Sequence, residues 1–238
     1  MQQNKFTILS TRPLPEAQLE KAAGKNILID VIPFIQTTSL VSDELKENIA
    51  SLSNQFLTAV FTSMNAVEAV GNYLHGKKTN WKVFCIGSST KKIITEVFSE
   101  NKIAGTAESA SVLADVIISH KNISSVTFFC GDKRRDELPE KLKQHGVFVQ
   151  EIEVYKTLET ANKIEKKYDA ILFYSPSAVN SFFSLNTIDS ETKLFAIGKT
   201  TAAEIEKFSS NKIITADVPS KELLAEQAIH YFELNYGL

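Results

Sequence analysis

"FTSMNAVEAV" at residues 61–70 and "FYSPSAVNSF" at residues 173–182 are two versions of one corner: an apolar strand end, a hydroxyl, then the opening turns of an amphipathic helix. Phe61, Ser63, Ala66 and Val67 fall on Phe173, Ser175, Ala178 and Val179 at an offset of 112. Downstream, "VFCIGSSTKKIITE" at 83–96 overlays "LFAIGKTTAAEIEK" at 194–207 at an offset of 111, and Leu113 and Ala114 then fall on Leu224 and Ala225. A period of this size is too long for a solenoid unit and fits two copies of one domain.

Each copy alternates strand and helix. The runs "LTAVFTS", "KVFCIGS", "SVTFFCG", "DAILFYS" and "KLFAIGK" are uniformly apolar, the pattern of parallel strands covered on both faces. After Ser63, Val67, Val70 and Leu74 recur at helical spacing, and after Ser175, Pro176 takes the favoured first helical position. Thr201 with Glu204 reads as a capping box. "RRDELPEKLKQHG" places acids early, Lys141 and Lys143 late and Gly146 as the stop, in keeping with the helix dipole. The fold expected is α/β: two similar doubly wound parallel-sheet domains of flavodoxin-like type, joined by a two-stranded β linker.

Two β-rich stretches break the repeat, "NILIDVIPFIQTT" at 26–38 and "VFVQEIEVYKT" at 147–157. They read as connectors. The first strand–helix unit, "FTILSTRP" onward, then belongs with the C-terminal copy, so residues 1–35 and 157–238 form a discontinuous domain. Residues 38–148 form an inserted one, with 32–38 and 149–157 as linker strands.

Composition excludes several classes. At 238 residues and 43% hydrophobic content the chain suits one large domain or two of about 100 to 150 residues. No apolar stretch approaches the roughly 18 residues of a membrane span, and no basic leader opens the chain, so the expected compartment is the cytoplasm. A formal net charge of -2 gives no global field for nucleic acid or an anionic membrane. Arginine is sparse, at Arg12, Arg134 and Arg135 alone. The four histidines lack metal-ligand spacing, and Cys85 and Cys130 sit inside apolar strand runs as buried hydrophobes, so no metal is expected.

The strand ends carry the polar chemistry. Arg12 lies in "STR", Thr62, Ser63 and Asn65 in "TSMN", and Gly87, Ser88, Ser89 and Thr90 in "GSST". Gly131, Arg134 and Arg135 lie in "CGDKRR", Ser175 and Ser177 in "YSPS", and Gly198, Thr200 and Thr201 in "GKTT", with Lys193 ahead of them. In open α/β sheets ligands bind at carboxyl strand ends, where helix N-termini offer unpaired N–H groups and partial positive charge, a surface for anions. Helix capping explains each hydroxyl taken singly; the shared location of all six loops favours binding. No Walker A loop, GxGxxG or serine elbow is present. Tyr155, in the second connector, carries a phenol able to donate a proton to a leaving oxygen, and a tyrosine packing at a hinge accounts for it equally well.

In order and spacing, "TRP" at 11–13, "FTSMNAV" at 61–67, "IGSST" at 86–90, "RRDELPEKL", "HGVFVQEIEVYKT", "YSPSAV" at 174–179, "AIGKTTA" at 196–202 and "PSKELL" at 219–224 resemble the uroporphyrinogen-III synthase family across essentially the whole chain. Tyr174, where threonine is common, and Lys199, where proline is common, depart from its pattern. The resemblance implies a cytosolic, cofactor-free, monomeric lyase of tetrapyrrole synthesis. Its substrate is hydroxymethylbilane, a linear tetrapyrrole with eight carboxylates, closed with inversion of the last ring and loss of water. The competing expectation is a two-lobed α/β binding or sensor domain that holds a small polycarboxylate without turning it over.

Overall fold

The apolar runs become parallel strands because both of their side-chain rows are covered by helices. The computed structural model describes residues 6–217 and 220–236 and divides the chain into one unit of Met1–Gln36 with Leu158–Leu238 and another of Thr37–Thr157. The first unit contains β1 (Phe6–Ser10), α1 (Glu16–Ala23), β2 (Ile27–Val31), β9 (Ala170–Phe173), α7 (Pro176–Phe183), β10 (Lys193–Ala196), α8 (Lys199–Ile205), β11 (Ile213–Thr215) and α9 (Lys221–Tyr236). Its strands, all parallel, run in the order β11-β10-β9-β1-β2. Ile8, Leu172 and Phe195 point to the layer of α1 and α9, while Leu9, Ile171, Phe173 and Leu194 point to α7 and α8. Read from β2, the order is the flavodoxin-like 2-1-3-4-5.

The second unit contains α2 (Asp43–Ser53), β4 (Thr58–Phe61), α3 (Met64–Leu74), β5 (Lys82–Ile86), α4 (Ser88–Phe98), β6 (Ile103–Ala107), α5 (Ala110–Ser119), β7 (Ser125–Gly131) and α6 (Glu137–Gln144). Two strands, β3 (Ile35–Ser39) and β8 (Phe148–Glu159), carry the chain into and out of it. The sheet order is β3-β8-β7-β4-β5-β6. Ala59, Phe61, Val83 and Phe129 meet α2, α3 and α4 on one face, and Val60, Phe84 and Phe128 meet α5 and α6 on the other. Trp81 closes the first of these layers, its indole N–H donating to the Leu52 carbonyl at 2.9 Å.

Set side by side, β9-β10-β11 of the first unit repeats as β4-β5-β6 of the second, and β1-β2 repeats as β7-β8. The repeated order is circularly permuted: the β1-β2 pair precedes its partners in the chain, whereas β7-β8 follows them. Leu113 and Leu224, equivalent in sequence, are both fully buried. The second connector departs from expectation. Beyond the expected linker strand over 149–157, β8 also pairs in parallel with β7 from Ser125 opposite Phe148 to Gly131 opposite Tyr155, and the inserted unit extends to Thr157. The reason is that Val149, Ile152 and Val154 have apolar layers to enter on the two faces of that sheet. β3 lies beside β8 in the same sheet; the Leu40 N–H donates to the Val154 carbonyl and the Thr160 N–H to that of Phe34, each at 2.9 Å.

Candidate functional site

In a doubly wound sheet, loops diverge and leave a crevice where the strand order reverses. In the first unit that point lies between β1 and β9. Thr11 ties the two strands together, its N–H (3.1 Å) and its hydroxyl (2.7 Å) both donating to the Leu172 carbonyl. The Ser10 hydroxyl donates to the Arg12 carbonyl at 2.7 Å, which holds the turn that follows β1. The Arg12 guanidinium lies over the Tyr174 ring, 5.6 Å from its centre, so the aromatic face seats the cation. Ser175 accepts from the Ala178 N–H at 3.2 Å and caps α7, while Ser177 follows it in the first turn, half-buried.

In the second unit the reversal lies between β7 and β4. Ser63 accepts from the Asn65 N–H at 3.2 Å and caps α3, flanked by half-buried Thr62 and Asn65. Gly131 closes β7. Here the register shifts: Cys130 pairs with Glu153 but Gly131 with Tyr155, leaving Val154 as an extra residue. A bulge of this kind re-aims a side chain, and Val154 and Tyr155 consequently pack against the same core layer. Burial pushes the Tyr155 phenol above its ordinary pKa; the Ser63 hydroxyl beside it pulls the other way, and the Cys130 and Asp132 charges add to the rise. The phenol is therefore protonated at neutral pH. Asp132 braces the spot, its N–H donating to the Tyr155 carbonyl at 3.3 Å and its carboxylate accepting from the Thr157 N–H at 2.9 Å.

The next helix in each unit starts differently. α4 begins behind Gly87 and α8 behind Gly198, so neither has a side-chain cap. Gly87 has a φ of +75°, which glycine adopts without strain, and at both glycines an added Cβ would meet nothing within 4 Å. The first turn of α4 thus starts without a side-chain cap and with open space beside Gly87, and uncapped helix N-termini can bind anions. Ser89 and Thr200 are exposed on these turns, whereas Thr90 (6%) and Thr201 (1%) point inward. The Ser88 side chain, like Pro219 of "PSKELL", lies outside the described residues.

Several expectations are corrected. The Thr201–Glu204 capping box does not form: Gly198 is the N-cap, Glu204 pairs with Lys207 at 2.8 Å, and the Thr201 hydroxyl is buried with no hydrogen-bond partner among the described residues. Lys193 opens β10, at the opposite end of that strand from Gly198, with Glu191 as its ion-pair partner at 4.0 Å. It is not brought together with the strand-end loops. Arg134 forms ion pairs with Asp136 and with Glu151 of β8, the latter shared with Lys143 at 3.0 Å, so its charge serves the fold. Arg135 stays exposed on the same loop. Asp132 was not singled out from sequence; its signal is the Gly-Asp pair that ends an apolar strand.

Cys85 and Cys130 are free and buried, and burial pushes both thiols up to about 11. Among the described residues no group of three or more His, Cys, Asp and Glu is placed to hold a metal, and no helix is long and apolar enough to cross a membrane.

With this geometry in place, the comparisons with known proteins agree. A family model described as uroporphyrinogen-III synthase HemD matches residues 17–226. The chain belongs to the uroporphyrinogen-III synthase family. It is similar to uroporphyrinogen-III synthases of Saccharomyces cerevisiae (24% identity, 88% of each chain covered) and Schizosaccharomyces pombe (23% identity, 86% of this chain and 87% of that one). Among solved structures, the synthase from Helicobacter pylori aligns over 95% of this chain and 99% of its own at 16% identity, with a TM-score of 0.66. A mutant synthase from Thermus thermophilus aligns over 95% and 98% at 14% identity, with a TM-score of 0.62. At these identities the solved structures establish the fold, and the family model carries the assignment.

Proposed function

We propose that this chain cyclises hydroxymethylbilane to uroporphyrinogen III, inverting ring D and releasing water, as a cofactor-independent monomer in the cytoplasm. The observation that carries this reading is the family match across residues 17–226. The chemistry suits the strand-end loops. Breaking the terminal C–O bond leaves an azafulvenium-type cation that pyrrole carbons attack without help, and unassisted attack gives the uninverted isomer. An enzyme for the inverted product must control geometry, directing attack to the substituted carbon of ring D through a spiro intermediate.

In this reading Tyr155 is the proton donor. Its phenol passes a proton to the departing hydroxyl, which leaves as water, and recovers one from the pyrrole carbon that regains aromaticity. Arg12, the open first turn of α4 at Gly87 and Ser89, Thr62, Asn65, Ser177 and Thr200 supply donors for carboxylates. Ser63 and Ser175 set the helix starts beside them. A charge-assisted hydrogen bond contributes about 1.5 to 3 kcal/mol, so a substrate with eight carboxylates is held by many modest contacts. The test is incubation with freshly made hydroxymethylbilane and separation of the uroporphyrin isomers. Mainly type III product is expected; type I at the uncatalysed rate, with protein in excess, overturns the proposal.

A further inference from the structure

The geometry points to Gly131 as a positioning residue for Tyr155: it is glycine so that the phenol ring can lie against the end of β7. The inference rests on the proposed role of Tyr155 and assigns Gly131 a task different from contacting substrate. A Cβ built on Gly131 would sit 2.4 Å from Tyr155 Cζ, 2.5 Å from Cε2 and 2.8 Å from the phenol oxygen. Real Cβ atoms do not approach ring atoms that closely. The backbone of Gly131 does not occupy the left-handed region, unlike that of Gly87, so an L-residue fits its φ without strain. The three atoms nearest to that Cβ all belong to the tyrosine ring.

Three further contacts fix the ring's approach. The bulge opposite Cys130 and Gly131 turns Tyr155 onto the face of Phe61 and Phe129. The Asp132 N–H holds the Tyr155 carbonyl, and the Asp132 carboxylate holds the N–H of Thr157, so the backbone is pinned at Tyr155 and two residues beyond it. With the main chain clamped, a methyl group at residue 131 can be relieved only by swinging the ring away. The phenol would then leave Ser63 and enter solvent.

The test is Gly131→Ala, alone and combined with Tyr155→Phe or Tyr155→Ala, in the full chain. Misplacing a catalytic group by about an ångström slows turnover by about 100-fold, so kcat should fall by about 10 to 100-fold with KM unchanged. Added to Tyr155→Phe, Gly131→Ala should slow the enzyme no further. Two other measurements follow the ring without relying on turnover. In Gly131→Ala, the Tyr155 phenol, followed by ultraviolet absorbance against the Tyr155→Phe background, should titrate at lower pH than in the parent. The drop in Tm caused by Gly131→Ala should largely vanish in Tyr155→Ala, where the ring is gone. An equal Tm loss in both backgrounds, or an unshifted phenol titration, would overturn the inference. Wild-type turnover in Tyr155→Phe removes the proton-donor role and leaves the ring-position test standing on those two measurements.

Discussion

The two sheet-reversal points lie between equivalent strands and carry different side chains. Between β1 and β9, Arg12 lies over Tyr174, a permanent cation seated on an aromatic face. Between β7 and β4, Gly131 ends its strand with the Tyr155 ring against it, a phenol that burial pushes above its ordinary pKa. Helix starts are shared: Ser63 and Ser175 cap α3 and α7, and Gly87 and Gly198 precede α4 and α8. The two units therefore share their helix starts and differ in the side chains beside the crevice strands.

The strongest way to break the equivalence of the units is through their cores. Leu113→Ala and Leu224→Ala each remove a fully buried side chain at matched positions, and each should destabilise by about 2 to 5 kcal/mol in urea titrations. If one of them is tolerated at under about 1 kcal/mol, the two layers are not packed alike.

Next in size is the contrast between the crevice tyrosines. Tyr155→Phe should slow turnover by about 10 to 1000-fold, whereas Tyr174→Phe, which keeps the ring beneath Arg12, should leave the rate within about 10-fold of the parent. Because the Tyr155 phenol is shifted upward, the parent should lose activity only as the pH rises above the ordinary tyrosine value of about 10. A pH–rate profile on both variants checks this: that alkaline limb should be absent from Tyr155→Phe and present in Tyr174→Phe.

Smaller effects sharpen the shared part. Ser63→Ala and Ser175→Ala should each cost about 1 kcal/mol of stability, as lost N-caps do, and neither should abolish activity. A folded but wholly inactive Ser63→Ala would move that hydroxyl from capping to catalysis. Thermal melts and steady-state kinetics on the pair separate the two outcomes.

An effect no larger, and dependent on pH, belongs to a clasp in the first unit, where Asp30 accepts from Lys166 at 2.7 Å and from Tyr168 at 2.8 Å. Burial pushes the Asp30 carboxyl up, but those two hydrogen bonds and the lysine charge outweigh it and hold the group below its ordinary value. A lowered carboxylate stabilises the fold above its unfolded pKa of about 3.9, and that contribution disappears as the pH falls through the lower folded value. Asp30→Asn should therefore cost about 1 kcal/mol at neutral pH, a figure reduced for the partial exposure of the pair. Melts at neutral pH and below about pH 3 should show the difference closing in acid.

Much of the fold was legible because its causes are short-range. An apolar run of four or five residues specifies a strand buried on two faces, and Ser63, Ser175, Pro176 and Gly146 act within a single turn of helix. The duplication was legible for the same reason, since each copy repeats those local instructions. What the chain could not disclose locally was decided by pairing between distant strands. Whether 149–157 was a linker or a sheet strand depended on apolar layers supplied by α2 to α6. Lys193 looked like a neighbour of Gly198 because they lie five positions apart, yet β10 runs from one towards the other and puts them at opposite ends of that strand. Arg134 found Glu151 on another strand, and Thr201 lost its cap role to Gly198. The contact between Gly131 and Tyr155 spans 24 positions and exists only because one strand carries an extra residue against its neighbour. Sequence by itself determined which segments are strand or helix and which ends carry polar groups, because those follow from interactions within a few residues. Register, and with it which side chain faces ligand and which faces core, was decided only by the tertiary structure, because a shift of one residue between paired strands redirects a side chain at no cost to the local pattern.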